Sequence, residues 1–159
     1  MSAKNFDIDN LDLRILNILS KDAKTPYTEV AKLLDVSGGT VHVRMRKLEE
    51  AGVVQGSTLI IDYARLGYDI TAFLGVYLEK SSYYDEVAAK LEKIPEVVSL
   101  HYTTGPYSMY CRLYCRDTKH LRQVLHDKIQ PIDGVERTES IISLEERVQR
   151  TIKLEDLQN

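Results

Sequence analysis

The stretch Thr28–Gly52, TEVAKLLDVSGGTVHVRMRKLEEAG, predicts two helices joined by a short turn. We expect the second of these helices to begin after the capping hydroxyl of Ser37 and to end at Gly52. Apolar residues recur along it at the i, i+4 and i+7 positions of one buried face: Val41, Met45 and Leu48. A short helix, a turn and a longer helix form the arrangement of a helix-turn-helix.

The shorter helix of this pair should begin within Thr25–Thr28, where Pro26 suits the first turn. It is expected to end at Asp35-Val36 and to bury four residues: Val30, Ala31, Leu33 and Leu34. Another helix is predicted before this pair in the chain, with Asp9 as its N-cap and Asp12 three residues further on. Its apolar positions are those of one helical stripe: Leu11, Ile15, Ile18 and Leu19. The first part of the chain is therefore predicted to be a three-helix unit.

The last of the three predicted helices concentrates positive charge. Residues 1–55 contain eight bases and eight acids, yet no acid lies within Ser37–Leu48. Gly38 and Gly39 lie in the first turn of this helix and have no side chains, so the helix N-terminus can approach a phosphate group closely. The predicted DNA-contacting residues are Ser37, Gly38, Gly39, Thr40, His42, Arg44, Arg46 and Lys47. On these residues alone, a plain three-helix unit with a solvated basic face remains the alternative.

After Gly52 the hydrophobic period becomes two, which is typical of strands. We expect a strand over Val53–Asp62 that is broken at Gly56, and then a connector over Tyr63–Tyr68. Further strands are predicted over Ile70–Lys80, Val97–Thr104, Tyr107–Cys115 and Val135–Leu144, and helices over Tyr83–Lys93 and Thr118–Ile129. This β-α-β-β-α-β order predicts a ferredoxin-like domain, in which two helices cover one face of an antiparallel sheet.

The predicted fold class is accordingly α+β, a winged-helix-like helix-turn-helix domain followed by a ferredoxin-like domain. We expect the first domain to span residues 1–55 and the second to span residues 70–159. Residues 56–69 would form a linker strand and connector between them. The 159-residue length is sufficient for two small domains.

The composition excludes several classes of protein. A hydrophobic fraction of 43% with 28% charged residues is typical of a soluble globular chain. The formal net charge of −3 argues against binding nucleic acid or anionic membranes by bulk charge, and leaves room only for a local basic face. No segment is apolar enough to span a membrane, and the acidic start does not resemble a signal peptide. We therefore expect a cytoplasmic protein without a membrane partner.

The sequence contains no recognisable catalytic constellation. None of its histidines has metal-ligand spacing: His42, His101, His120 and His126. No histidine or acid is spaced to activate Ser108 as a nucleophile, and glycine-rich phosphate-binding motifs are absent. We expect neither an enzyme, nor a metal site, nor a cofactor. A small-molecule enzyme built on the ferredoxin-like fold is the rival hypothesis.

The predicted turn Tyr102–Ser108, YTTGPYS, is the most informative feature of the second half. Two hydroxyls and a glycine at a hairpin tip expose backbone N–H groups, which can hold a carboxylate. The same residues also suit an ordinary turn, because glycine permits positive φ and proline fixes φ.

The predicted strand after this turn has two different faces. One face carries the two cysteines, and the other carries Tyr110, Arg112 and Tyr114. We expect a second copy of the chain to cover them, since large exposed aromatic surfaces are unusual.

Four segments together resemble the Lrp/AsnC family of feast/famine transcriptional regulators. They are IDNLDLRIL (Ile8–Leu16), TEVAKLLDVSGGTVHVRMRKLEEAGVVQG (Thr28–Gly56), LGYDITAFLGVYL (Leu66–Leu78) and HYTTGPYS (His101–Ser108). The resemblance extends from about residue 8 to about residue 152, and VHVRMRK and YTTGPYS favour the asparagine-responsive AsnC branch. Asp35 is a departure, because glycine is more usual there, although aspartate tolerates the left-handed conformation.

The resemblance implies a sequence-specific DNA-binding regulator that responds to an amino acid, with asparagine the first candidate. It implies homodimers that commonly assemble into octamers, with the effector held between dimers. The positions that match the family's effector site are Tyr102, Thr103, Thr104, Gly105, Gln130, Thr138 and Ser140. The side-chain amide of Gln130 could pair with that of asparagine. An effector-independent architectural DNA-binding protein is the alternative.

Overall fold

The computed structural model describes residues 7–154, which form two compact units. The first unit contains residues 7–59 together with residues 148–154. The second unit contains residues 60–147. Residues 148–154 thus pack with the first unit, whereas the sequence interpretation placed them in the second domain.

Three helices make up the first unit: α1 (Asn10–Leu19), α2 (Tyr27–Leu34) and α3 (Gly38–Glu50). Their core contains Ile15, Val30, Ala31, Leu34, Val41, Met45 and Leu48. The prediction for Leu33 was wrong, because 61% of this residue is exposed. At 100° per residue it lies about 100° from the centre of the face that Val30, Ala31 and Leu34 bury. Pro26 is the N-cap of α2 rather than part of its first turn.

The helix boundaries follow from local hydrogen bonds. At the start of α1, the Asp12 amide donates to the Asp9 side chain at 3.0 Å and the Asp9 amide donates to Asp12 Oδ2 at 3.2 Å. Ser37 caps α3, since its Oγ accepts from the Thr40 amide at 3.0 Å. Asp35 has a φ of 55°, so the turn between α2 and α3 requires the left-handed conformation. The predicted caps and turn are confirmed.

The second unit is an antiparallel sheet with helices on one face. Its elements are β1 (Ile70–Leu78), α4 (Tyr84–Leu91), β2 (Val97–Tyr102), β3 (Met109–Cys115), α5 (Thr118–Gln123) and β4 (Val135–Ile142). The helix α5 continues as π-helical turns over Val124–Ile129. The strand order β2-β3-β1-β4 with antiparallel pairing is that of the predicted ferredoxin-like domain.

The two faces of the sheet differ in character. The helix-covered face is apolar and includes Leu74, Val76, Met109 and both cysteines. Burial raises the pKa of Cys111 and that of Cys115 to about 11, so both thiols stay protonated. The opposite face, called the open face below, carries half-buried aromatic side chains: Phe73, Tyr77, Tyr107, Tyr110 and Tyr114.

The predicted strand over Val53–Asp62 was wrong. The structure shows no strand there, and Leu59, Ile60 and Ile61 are all exposed. Alternation of apolar and polar residues indicates which side chains could share one face of a strand. A strand forms only where a second backbone segment pairs with it through hydrogen bonds. The connector that follows contains one 3-10 turn, Ala64–Leu66, which ends at Gly67 with a φ of 84°.

Candidate DNA interface and effector site

The N-terminal half of α3 presents small and polar residues. Ser37, Gly39 and His42 are exposed, and His42 contacts the Tyr27 ring edge-to-face at 4.7 Å between centroids. A Cβ atom at Gly38 would lie 3.9 Å from Thr28 and one at Gly39 would lie 3.7 Å from Ser37. Both are ordinary contact distances, so the packing of this unit does not require either glycine. Their small size instead keeps the helix start open to an approaching molecule.

The three cations of α3 have different surroundings. Arg46 is exposed and its Nε donates to Glu50 Oε1 at 2.8 Å, while Lys47 is exposed as well. Arg44 instead binds the start of α1 through Nη1, which contacts Asp9 and also lies 3.3 Å from both carboxylate oxygens of Asp12. The sequence interpretation placed Arg44 away from the buried face of α3 and missed this ion pair. Its partners are more than 30 residues apart, and no local pattern indicates it.

The Arg44 contact completes a charged cluster at the capped end of α1. The Asp12 side chain is only 2% exposed, and its carboxylate accepts hydrogen bonds from the Asp9 amide and from Arg44. The hydrogen bond from the Asp12 amide and the pairing with Arg44 hold the pKa of Asp9 below its usual range. Arg44 therefore fastens α3 to α1, and its contact with DNA stays a prediction.

The turn Tyr102–Ser108 is folded back onto β1. The Thr103 amide donates to the Ser108 carbonyl at 3.2 Å, the Thr103 hydroxyl donates to the Tyr107 carbonyl at 2.8 Å, and the Ser108 amide donates to the Val76 carbonyl at 3.0 Å. Gly105 has a φ of 106°, and no heavy atom lies within 4 Å of where its Cβ would be. Within residues 7–154, the exposed Thr104 and Gly105 amides are not engaged by a backbone acceptor.

The remaining predicted effector residues lie at the other edge of the sheet. Thr138 and Ser140 pair with Val76 and Leu74 of β1, so both point to the helix-covered side. Gln130 follows the π-helical turns, and its Nε2 lies 3.5 Å from the Thr138 hydroxyl. A surface cavity of about 560 Å³ extends from Gln130 along α5 to Ile142.

Strand register shows how far apart these two groups of residues are. Tyr102, Met109, Val76 and Thr138 lie on one rung that crosses all four strands. Tyr102 and Thr138 are thus separated by three inter-strand spacings, about 14 Å. Met109 and Val76 fill the rung between them and are fully buried. The predicted effector residues therefore lie in two separate groups, named below the turn half-site (Tyr102–Gly105) and the strand half-site (Gln130, Thr138 and Ser140).

Among residues 7–154, no group of three or more histidine, cysteine, aspartate or glutamate side chains is arranged to hold a metal ion. In that same range, no helix combines the length and the apolar character needed to cross a membrane.

Comparison with known proteins assigns a family to both units. Residues 8–55 match a winged helix-turn-helix DNA-binding domain, and residues 71–152 match the Lrp/AsnC ligand binding domain. The regulatory protein AsnC of Haemophilus influenzae is 44% identical over 147 residues, which cover 92% of this chain and 98% of that protein.

Solved structures show the same architecture. The structure of E. coli AsnC superposes with a TM-score of 0.88 at 42% identity and covers 92% of this chain and 98% of its own. The Neisseria meningitidis regulator NMB0573, solved as a complex with L-Met, has a TM-score of 0.86 at 23% identity over 91% of this chain and 94% of its own. The second likeness shows a shared fold. The chain belongs to the Lrp/AsnC family and is a DNA-binding transcriptional regulator with an amino-acid effector domain.

Proposed function

We propose that this regulator binds double-stranded DNA through α3 and that free asparagine, held between two copies of the chain, controls that binding. The observation that carries the effector part is the separation of the two half-sites along one rung of the sheet. The DNA part is supported by the exposed cations of α3 and by its open N-terminus. In this proposal the protein is not an enzyme and acts in the cytoplasm.

The proposed DNA interface is formed by a helix that presents its N-terminus and its polar side. The Gly38 and Gly39 amides at the start of α3 suit a phosphate oxygen, because the Ser37 cap engages the Thr40 amide and not these two. Arg46 and Lys47 extend the positive charge along the exposed side. The eight residues predicted from the sequence remain the proposed contacts, and Arg44 would contact DNA while its Nη1 stays paired with Asp9 and Asp12.

The proposed effector site requires a second copy of the chain. A free amino acid spans about 7 Å, the length of two extended residues, and the half-sites of one chain are about 14 Å apart. The turn half-site offers amides for a carboxylate, and the strand half-site offers hydroxyl and amide oxygens for an ammonium group. A turn half-site from one copy and a strand half-site from another can together surround the ligand.

Assembly follows from the same geometry and from the open face. Its half-buried aromatic side chains suit a sheet-against-sheet dimer contact. Dimers joined at their effector sites would form a closed ring, for which we propose the octamer that the family resemblance implies. Several DNA-binding units on one ring would raise DNA affinity by avidity, which compensates for the net charge of −3.

The test measures DNA binding with and without asparagine. A duplex selected from a random-sequence pool is labelled, and its affinity for the full chain is followed by fluorescence anisotropy at several salt concentrations. We expect Lys47→Ala to weaken DNA binding, because a phosphate contact is lost. The slope of log affinity against log salt concentration should fall by about one unit. Lys32→Ala, a change of the same type on α2, is the control and should leave the slope unchanged.

Asparagine is then added to the wild-type complex. The proposal predicts a change in DNA affinity or in stoichiometry at saturating asparagine. Unchanged binding with asparagine and with every other amino acid would support the architectural DNA-binding protein instead. Unchanged binding by Lys47→Ala would exclude this residue from the interface.

A further inference from the structure

Tyr107 leaves the effector turn and crosses the open face of the sheet. Its ring lies directly on β1 at Gly75, where a Cβ atom would come within 2.3 Å of the ring. The ring is flanked by Tyr77 at 5.3 Å and Tyr110 at 5.8 Å between centroids. Gly75 is thus the residue that allows Tyr107 to reach from the β2–β3 side of the sheet to its other edge.

The Tyr107 hydroxyl reaches β4 on the open face, which is the side of this strand opposite to the strand half-site. It donates to Glu139 Oε2 at 3.0 Å, and Glu139 lies between Thr138 and Ser140 in β4. The hydrogen bond to this carboxylate raises the pKa of Tyr107, so the phenol keeps its proton at physiological pH. The open side of β4 is therefore bonded to a residue of the effector turn.

The other end of Tyr107 is bonded to the turn half-site. Its carbonyl accepts the hydrogen bond from the Thr103 hydroxyl at 2.8 Å. A continuous path thus runs from Thr103 through Tyr107 to Glu139 on the open face. It links the turn half-site to the segment of β4 that carries Thr138 and Ser140 on its other side.

We propose that Tyr107 is a positioning residue that couples the two half-sites of each chain, so that binding of one amino acid favours binding of the next. This inference rests on the proposed function, in which the two half-sites of one chain contact two different ligand molecules. An amino acid that orders Thr104 and Gly105 would also fix Tyr107 and hence Glu139. The strand half-site of the same chain, which contacts a second ligand molecule, would then lose less conformational freedom on binding. A smaller loss at the second site makes amino-acid binding cooperative.

Tyr77 provides a matched control for the test. Its hydroxyl donates to the same carboxylate, at 3.1 Å from Oε1, but it belongs to β1 rather than to the turn. Tyr107→Phe and Tyr77→Phe each remove one hydroxyl from the open face and keep the ring. A general loss of packing or of charge balance at Glu139 would affect both variants alike.

Asparagine binding to the full-length protein is measured by calorimetry. We expect a Hill coefficient above one for the wild type and for Tyr77→Phe, and a value near one for Tyr107→Phe. Tyr107→Phe should also bind about 2- to 10-fold more weakly, the range for one lost hydrogen bond. A non-cooperative wild type, or two variants with the same Hill coefficient, would overturn the coupling.

Amide hydrogen exchange without ligand tests the coupling independently of effector binding. Tyr107→Phe should accelerate exchange both in Thr103–Gly105 and in Thr138–Ser140, whereas Tyr77→Phe should leave Thr103–Gly105 unchanged. If no amino acid binds the wild type, the proposed function fails and the exchange data alone decide the coupling. Equal exchange of Thr103–Gly105 in the two variants would overturn it.

Discussion

Replacing Arg44 with methionine is expected to lower the free energy of unfolding of the helical unit by about 1–3 kcal/mol. Methionine keeps the length and helix propensity of the side chain but leaves the buried Asp12 carboxylate without its cation. Breaking a buried pair from one side is costly because the remaining charge stays desolvated. Urea unfolding of the full chain, followed by circular dichroism at 222 nm and by tyrosine fluorescence, measures the change.

Arg46→Met is the control for this experiment. Arg46 and Glu50 form an exposed pair four residues apart, with side chains 80% and 63% exposed. Such pairs contribute less than about 0.5 kcal/mol, so stability should hardly change. Arg46→Met should nevertheless weaken DNA binding if it contacts a phosphate. A loss of stability at Arg46 as large as at Arg44 would contradict the role assigned to the Arg44 ion pairs.

Replacing Gly105 with valine is expected to reduce asparagine affinity by at least about 10-fold. A φ of 106° is strained for any residue with a Cβ atom, and a β-branched side chain would also obstruct the exposed amides of Thr104 and Gly105. DNA affinity in the absence of the effector should not change, because Gly105 does not belong to the DNA-binding unit. Calorimetry with asparagine and a panel of other amino acids gives the result.

Gly67→Val separates ligand contact from backbone strain. Gly67 also has a positive φ, 84°, and no heavy atom within 4 Å of its Cβ position, but it lies outside both half-sites. Both variants should lose some stability, of the order of 1–2 kcal/mol for a left-handed non-glycine residue. Only Gly105→Val should lose affinity for asparagine. Wild-type affinity in both variants would mean that Tyr102–Ser108 is merely a turn.

Local sequence signals were sufficient for most of the fold. The three helices of the first unit were predictable because their apolar spacing, caps and turn residues all act within a few positions, as at Asp9, Ser37 and Asp35. The strands of the sheet were predictable from alternation, since β3 buries every second residue. Val53–Asp62 has similar apolar content but lacks a pairing strand, and sequence periodicity does not report partners.

The candidate sites were predictable only in part. The resemblance supplied the predicted effector residues, and the register of the sheet then showed that these residues lie in two separate groups. The Arg44 ion pairs and the contact of Tyr107 with Gly75 and Glu139 join residues about 30 positions apart. Such contacts depend on how elements pack, so the order of residues along the chain gave no signal for them.

The most direct test of the central claim is subunit complementation. Gly105→Val impairs the turn half-site, and the double variant Gln130→Ala/Thr138→Val impairs the strand half-site. Each variant alone should show little asparagine binding. When both are co-expressed with different tags and the mixed assemblies are isolated, random pairing should bring an intact turn half-site against an intact strand half-site in about a quarter of the sites. Calorimetry of the mixed assemblies should therefore show asparagine binding with wild-type affinity at about one quarter of the wild-type stoichiometry. If the mixed assemblies bind no more asparagine than the separate variants do, a site shared between copies is contradicted.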